Sequence, residues 1–155
     1  MRLAAAMLLC LSFVQAQDTA VIHKMAENKF GPLPVLPACI TAAVQSGDPS
    51  KGAFVLAGKG TAGCVIPWHW HTGTEHVMIV SGSAKVSMKD GNQSAVLGPG
   101  GYAMLPGKHI HQFQCTTACS IFVSSAVAFD IHYVDAGGKE ISLEAATAKA
   151  PAKKK

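Results

Sequence analysis

The chain has 155 residues and a single arginine, Arg2, which lies in an N-terminal stretch read below as a leader. The remainder has no guanidinium with which to grip a carboxylate or phosphate bidentately, and this counts against dianionic substrates such as sugar phosphates. There is no CxxC pair, the commonest sign of a structural zinc site. No apolar run reaches the roughly 20 residues that a membrane-spanning helix requires. No internal repeat and no strong helical period interrupt the pattern. The formal charge of +4 is matched by Lys149 and Lys153, Lys154 and Lys155, so the body is near neutral and presents no face for nucleic acid.

What is there begins with Met1-Arg2, an apolar run over residues 3–14 and the small-residue ending Val14-Gln15-Ala16. This is the order of a secretory signal peptide, placed at 1–16, and it predicts a mature chain from about Gln17 in a secreted or periplasmic location. Leu9 precedes Cys10 where a lipid-anchored chain would have a small residue, so no membrane insertion is expected. Cys39, Cys64, Cys115 and Cys119 then form an even set in an oxidising compartment, where one or two disulfides are expected. Cys115 and Cys119, joined by Thr116-Thr117-Ala118, are the first candidates, with a pair of buried thiols as the alternative.

Residues 17–52 carry Pro32, Pro34 and Pro37 and a Gly47-Asp48-Pro49 turn, and read as an irregular N-terminal arm. Residues 53–136 read as an all-β domain. Short runs rich in Val, Ile, Phe and Met predict strands at 53–57, 63–67, 76–80, 84–88, 94–97, 102–105, 111–115, 120–124 and 129–134. Turns are expected at Gly58-Lys59-Gly60, Ser81-Gly82-Ser83, Lys89-Asp90-Gly91-Asn92, Gly98-Pro99-Gly100-Gly101 and Gly137-Gly138. Many short strands at this spacing suggest a jelly roll or sandwich. Residues 137–155 read as a short helical turn capped by Ser142, followed by a disordered Lys-rich tail.

Histidines cluster at His69, His71, His76, His109 and His111. In extended chain, residues i and i+2 share a face, so His69 and His71 project together, inward if Val65 and Pro67 also face the core. Gly73 lets the chain turn so that Glu75 returns toward the imidazoles, and His111, just past Pro106-Gly107, can supply a fourth donor. His109, which shares its face if the strand begins early, rivals it. Three nitrogens and one oxygen on an octahedral ion leave two open positions. His76 should point the other way, and Trp68 and Trp70 should face away from the metal, packing against another surface or gripping a sugar. Lys108 and His109 fall at the expected barrel mouth, with His109 the candidate catalytic proton-transfer group. Phe113, Met78, Met88 and Met104 are expected as core or cavity lining, and His132 on the outer face opposite Phe129, Ile131 and Tyr133.

The spacing Gly63-x5-His69-x-His71-x3-Glu75-x6-Gly82 resembles the first motif of the cupins throughout. The second motif, G-x5-P-x-G-x2-H-x3-N, is partly matched. Gly100, Pro106 and His111 fit, whereas Lys108 replaces its second glycine and Cys115 its asparagine. The resemblance implies a cupin jelly-roll barrel with one divalent transition metal ion held by His69, His71, Glu75 and His111, and a homodimer. Iron or manganese is favoured, with copper, nickel and zinc as the other candidates. It further implies a dioxygenase-type oxidoreductase acting on a small-molecule substrate that chelates the metal through oxygen. The alternatives are a metal-dependent lyase or decarboxylase using His109, a non-catalytic metal- or ligand-binding envelope protein, and a copper-dependent oxidase of extracellular polysaccharide.

Overall fold

A computed structural model describes residues 20–22 and 24–148; the expected leader, with Cys10, and the Lys-rich tail lie outside these residues. Eleven strands follow in order: β1 (Gly31–Pro32), β2 (Ile40–Gly47), β3 (Phe54–Gly60), β4 (Val65–Trp70), β5 (Glu75–Ser81), β6 (Ala84–Met88), β7 (Ser94–Leu97), β8 (Tyr102–Leu105), β9 (His111–Cys115), β10 (Cys119–Ser125) and β11 (His132–Tyr133). One helix, α1 (Leu143–Thr147), comes last. Its cap is the one expected, with the Ala145 amide donating to Ser142 Oγ at 3.2 Å.

The strands form two antiparallel sheets, ordered β1-β2-β3-β10-β5-β8 and β11-β4-β9-β6-β7. Their inner faces meet as the jelly-roll barrel that the alternation predicted. Val77, Ile79 and Ile121 from the first sheet pack with Val86, Phe113 and Cys115 from the second. Each large aliphatic or aromatic side chain buried this way contributes about 1.5–3 kcal/mol.

Four expectations are corrected. The arm is not irregular throughout, because Ile40–Gly47 is an eight-residue strand paired along β3. Gly58 and Gly60 are not a turn but lie within β3. Glycine suits both positions, because a Cβ on Gly58 would press on Ile121 at 3.0 Å and one on Gly60 would clash with Cys115 Sγ at 2.3 Å. The last strand shrinks to His132–Tyr133, since the backbone before it serves other partners: the Phe129 amide donates to the Pro49 carbonyl, and the Asp130 carbonyl accepts from His71. Met78 and Met104 are exposed on the outer face of β5 and β8 rather than in the core, whereas Phe113 is buried.

The cysteines also divide differently from the first candidate pairing. The disulfide joins Cys39 to Cys64, tying the arm to the start of β4, while Cys115 and Cys119 are buried thiols.

The departure at Lys108 has a backbone consequence. It is the only described non-glycine residue at positive φ, 64°, where the resembled motif has glycine. Its amide donates to the His71 carbonyl at 2.8 Å. A Cβ on the preceding Gly107 would lie 2.5 Å from the Thr72 carbonyl, so this turn presses against the chain that leaves β4. A left-handed residue with a Cβ costs about 1–2 kcal/mol, partly offset by the extra freedom glycine has when unfolded. Lys108→Gly should therefore leave stability unchanged or raise it by up to about 1 kcal/mol, whereas Lys108→Val should lower it. Urea unfolding midpoints check both directions.

Candidate metal centre

The inward aim of His69 and His71 depends on a β-bulge. Between β4 and β9, Ile66 pairs with Phe113 and His69 with His111, so Pro67 and Trp68 together oppose the single residue Gln112. Strict alternation from Ile66, which lines the barrel cavity, would have sent His69 outward. The extra residue reverses the phase. Val65, Pro67 and Trp68 accordingly line an outer groove beside α1, while Ile66, His69 and His71 line the cavity. The inward histidines were expected on the premise that Val65 and Pro67 face inward too. The histidines do, and those two residues do not. Proline suits the bulge because it has no amide to leave unpaired.

His69, His71, Glu75 and His111 offer donor atoms that all lie within 4.8 Å of one another. Three come from the β4–β9 side and Glu75 from the first residue of β5, so the cluster spans both sheets. Each imidazole is held through Nδ1–H by a backbone carbonyl: His69 by Pro67 at 2.6 Å, His111 by His109 at 3.0 Å, and His71 by Asp130. This fixes the tautomer that leaves Nε2 with a free lone pair. His69 and His111 are 2% and 1% exposed, and the Nε2 atoms of His71 and His111 are buried without a hydrogen-bond partner. They stand 3.6 and 3.4 Å from Glu75 Oε2. Buried polar atoms of this kind are normally satisfied, and a cation between them satisfies all at once. The donor set therefore fits a metal ion.

The electrostatics agree. Burial pushes the His69 imidazole well below its usual 6.5, reinforced by His111 and His71, and keeps it a neutral lone-pair donor. Burial alone would raise the Glu75 carboxyl, but His111, His71 and His69 outweigh it and hold it at about 2. Glu75 is thus an anion at any physiological pH. One carboxylate and three imidazole nitrogens are a donor set that suits a divalent transition ion.

Other residues singled out from sequence lie elsewhere. His109 is exposed in a separate groove with Tyr102, Met104 and Pro106, and only its carbonyl reaches the cluster, through His111. His76 shares a 2.6 Å hydrogen bond with the Tyr102 hydroxyl on the outer face. Trp70 stacks on His132 at 3.8 Å and 4°, and His132 lies 3.3 Å from carboxylate oxygens of both Asp130 and Glu140. The role of Asp130 was not read from sequence. Its carbonyl holds His71, and its carboxylate accepts from the Thr72 amide at 2.8 Å.

Besides the donors, the cavity is walled by Leu33, Leu36, Ile66, Phe113, Phe129 and Ile131 among others, and its open volume is about 50 Å³. That holds only a few water-sized molecules.

No curated protein matches the chain by sequence. Residues 61–125 match the family described as Cupin domain. The fold is similar to the polyketide cyclase RemF from Streptomyces resistomycificus, at 15% identity and TM-score 0.64, covering 76% of this chain and 87% of that one. It is similar to an RmlC-like cupin from Shewanella frigidimarina NCIMB 400, at 13% identity and TM-score 0.60, covering 74% and 97%. Salicylate 1,2-dioxygenase from Pseudoaminobacter salicylatoxidans, solved as adducts with gentisate, is 17% identical at TM-score 0.52, covering 58% of this chain and 25% of that one. At such identities the likeness speaks for the fold.

Proposed function

Residues 61–125 match the Cupin domain family, and we propose that the chain is a cupin and a secreted metal-dependent oxidoreductase of the dioxygenase type, acting on a small substrate that binds the metal through oxygen. The observation that carries this reading is the convergence of three imidazole nitrogens and Glu75 in a cavity whose remaining wall is apolar. Among the described residues, that wall offers no acid or base beyond the donors themselves. A bound divalent transition ion, iron or manganese for preference, supplies a Lewis acid and electron exchange with dioxygen. The protein's part is to fix the donors, exclude water with Leu33, Leu36 and Phe129, and leave room for small oxygen-bearing groups. The absence of arginine beyond Arg2 counts against a dianionic substrate. With about 50 Å³ open, a phenol or diketone enters by displacing a wall, and Leu33 and Leu36 of the arm are wall side chains that lie outside the strands.

The Asp130 carbonyl and the Pro67 bulge keep their imidazoles aligned as substrate enters. Exposed Met78, Val80, Tyr102 and Met104 on β5 and β8 support a homodimer, and the Cys39–Cys64 bridge supports secretion. A lyase would need a further acid or base, and His109 opens on a different groove. A non-catalytic metal holder is the reading that the small cavity favours second. Oxygen-electrode assays of iron- or manganese-loaded protein against small phenols and β-diketones separate the two. Oxygen consumed in step with substrate supports the enzyme. A fully loaded protein that consumes none with any compound leaves the metal holder.

A further inference from the structure

At the end of β9 away from His111, Cys115 ends that strand and Cys119 begins β10, and their sulfurs lie 2.7 Å apart. We propose that Cys115 and Cys119 form a redox-active dithiol, whose oxidised form is a second disulfide beside Cys39–Cys64. The reduced form is the one the structure holds.

Several features of the fold hold the pair ready. Cys115 pairs with Ala84 in one sheet and Cys119 with Gly60 in the other, so the two residues join the sheets through the short reversal Thr116-Thr117-Ala118. Glycine at 60 makes room for the Cys115 sulfur, since a Cβ there would lie 2.3 Å from it. A separation of 2.7 Å needs to shorten by only about 0.7 Å to reach the length of an S–S bond. The two thiols also differ in acidity: their mutual hydrogen bond lowers the pKa of Cys119 and raises that of Cys115. Cys119 is thereby the attacking sulfur and Cys115 the resolving one. Both are buried, but residues 116–118 between them are exposed, so opening this short reversal admits an oxidant.

With a small-molecule disulfide as oxidant, the Cys119 thiolate attacks one of its sulfurs and the other half leaves as a thiolate. Cys115 then gives up its proton and attacks the Cys119 sulfur of the mixed disulfide, releasing the second half. Two electrons and two protons pass to the oxidant, which departs as two thiols, and one S–S bond is made for one broken.

The full-length protein is incubated with oxidised glutathione or with a phosphine reductant, denatured, alkylated with iodoacetamide and digested with trypsin. Cleavage after Lys108 and Lys139 leaves both cysteines on the peptide 109–139. After oxidation this peptide should carry no alkyl label and be two hydrogens lighter than its unlabelled dithiol mass; after reduction it should carry two labels. Two labels after oxidation would overturn the proposal. So would a peptide crosslinked between Cys64 and Cys115, which lie opposite each other where β4 meets β9 and whose backbones share a 2.9 Å hydrogen bond.

Discussion

His111→Ala is expected to weaken metal binding by more than about a hundredfold, whereas His109→Ala leaves one equivalent bound. Loss of a residue that merely orients a ligand costs about 10–100-fold in affinity, and loss of a donor should exceed that. His111 is the only donor from β9, is 1% exposed, and directs Nε2 to within 3.4 Å of Glu75. No described residue beside it can take its place, because His109 points into the groove with Tyr102 and Met104. Calorimetric titration with manganese, with metal content measured after gel filtration, checks both variants. A rise in thermal midpoint with added metal should accompany binding in the wild type, worth about 2.7 kcal/mol at a hundredfold excess over Kd, and should vanish in His111→Ala.

Replacing Cys39 and Cys64 together by alanine should cost about 3–4 kcal/mol of folding stability. The bridge closes a loop of 25 residues, and the chain-entropy account gives about 3 kcal/mol for 15 residues and slowly more beyond. In a domain of this size that lowers the thermal midpoint by about 10 °C or more. The bridge also pins the segment that carries Leu33 and Leu36 over the metal cavity, where a further tie is the Tyr133 hydroxyl donating to the Val35 carbonyl at 2.8 Å. Limited proteolysis should accordingly cut the double variant in residues 33–37 sooner than elsewhere. Equal stability of variant and parent would mean that β2 alone holds the arm.

The four donors were legible because their spacing is local: a histidine pair at i and i+2, a carboxylate four residues on, and a histidine behind a proline-glycine turn. The bulge that aims the pair was not, since Pro67 and Trp68 become its two residues only when Gln112 stands opposite them on β9. β2 was hidden for another reason. Ala42, Ala43, Gln45, Ser46 and Gly47 have little intrinsic strand preference, and the strand owes its existence to pairing with β3. The glycines of β3 looked like a turn because the large partners that require them, Ile121 and Cys115, lie far along the chain. Cys39 likewise meets Cys64 only once the arm has folded back on β4, a long-range contact that spacing cannot reveal.

The central claim is that His69, His71, Glu75 and His111 share one ion. Crystals of the zinc-loaded protein measured at the zinc absorption edge test it directly. The account predicts one anomalous peak per chain, about 2.0–2.2 Å from all three Nε2 atoms and a Glu75 oxygen. A peak bonded to His109 in place of His111, or none between β4, β5 and β9, would contradict it.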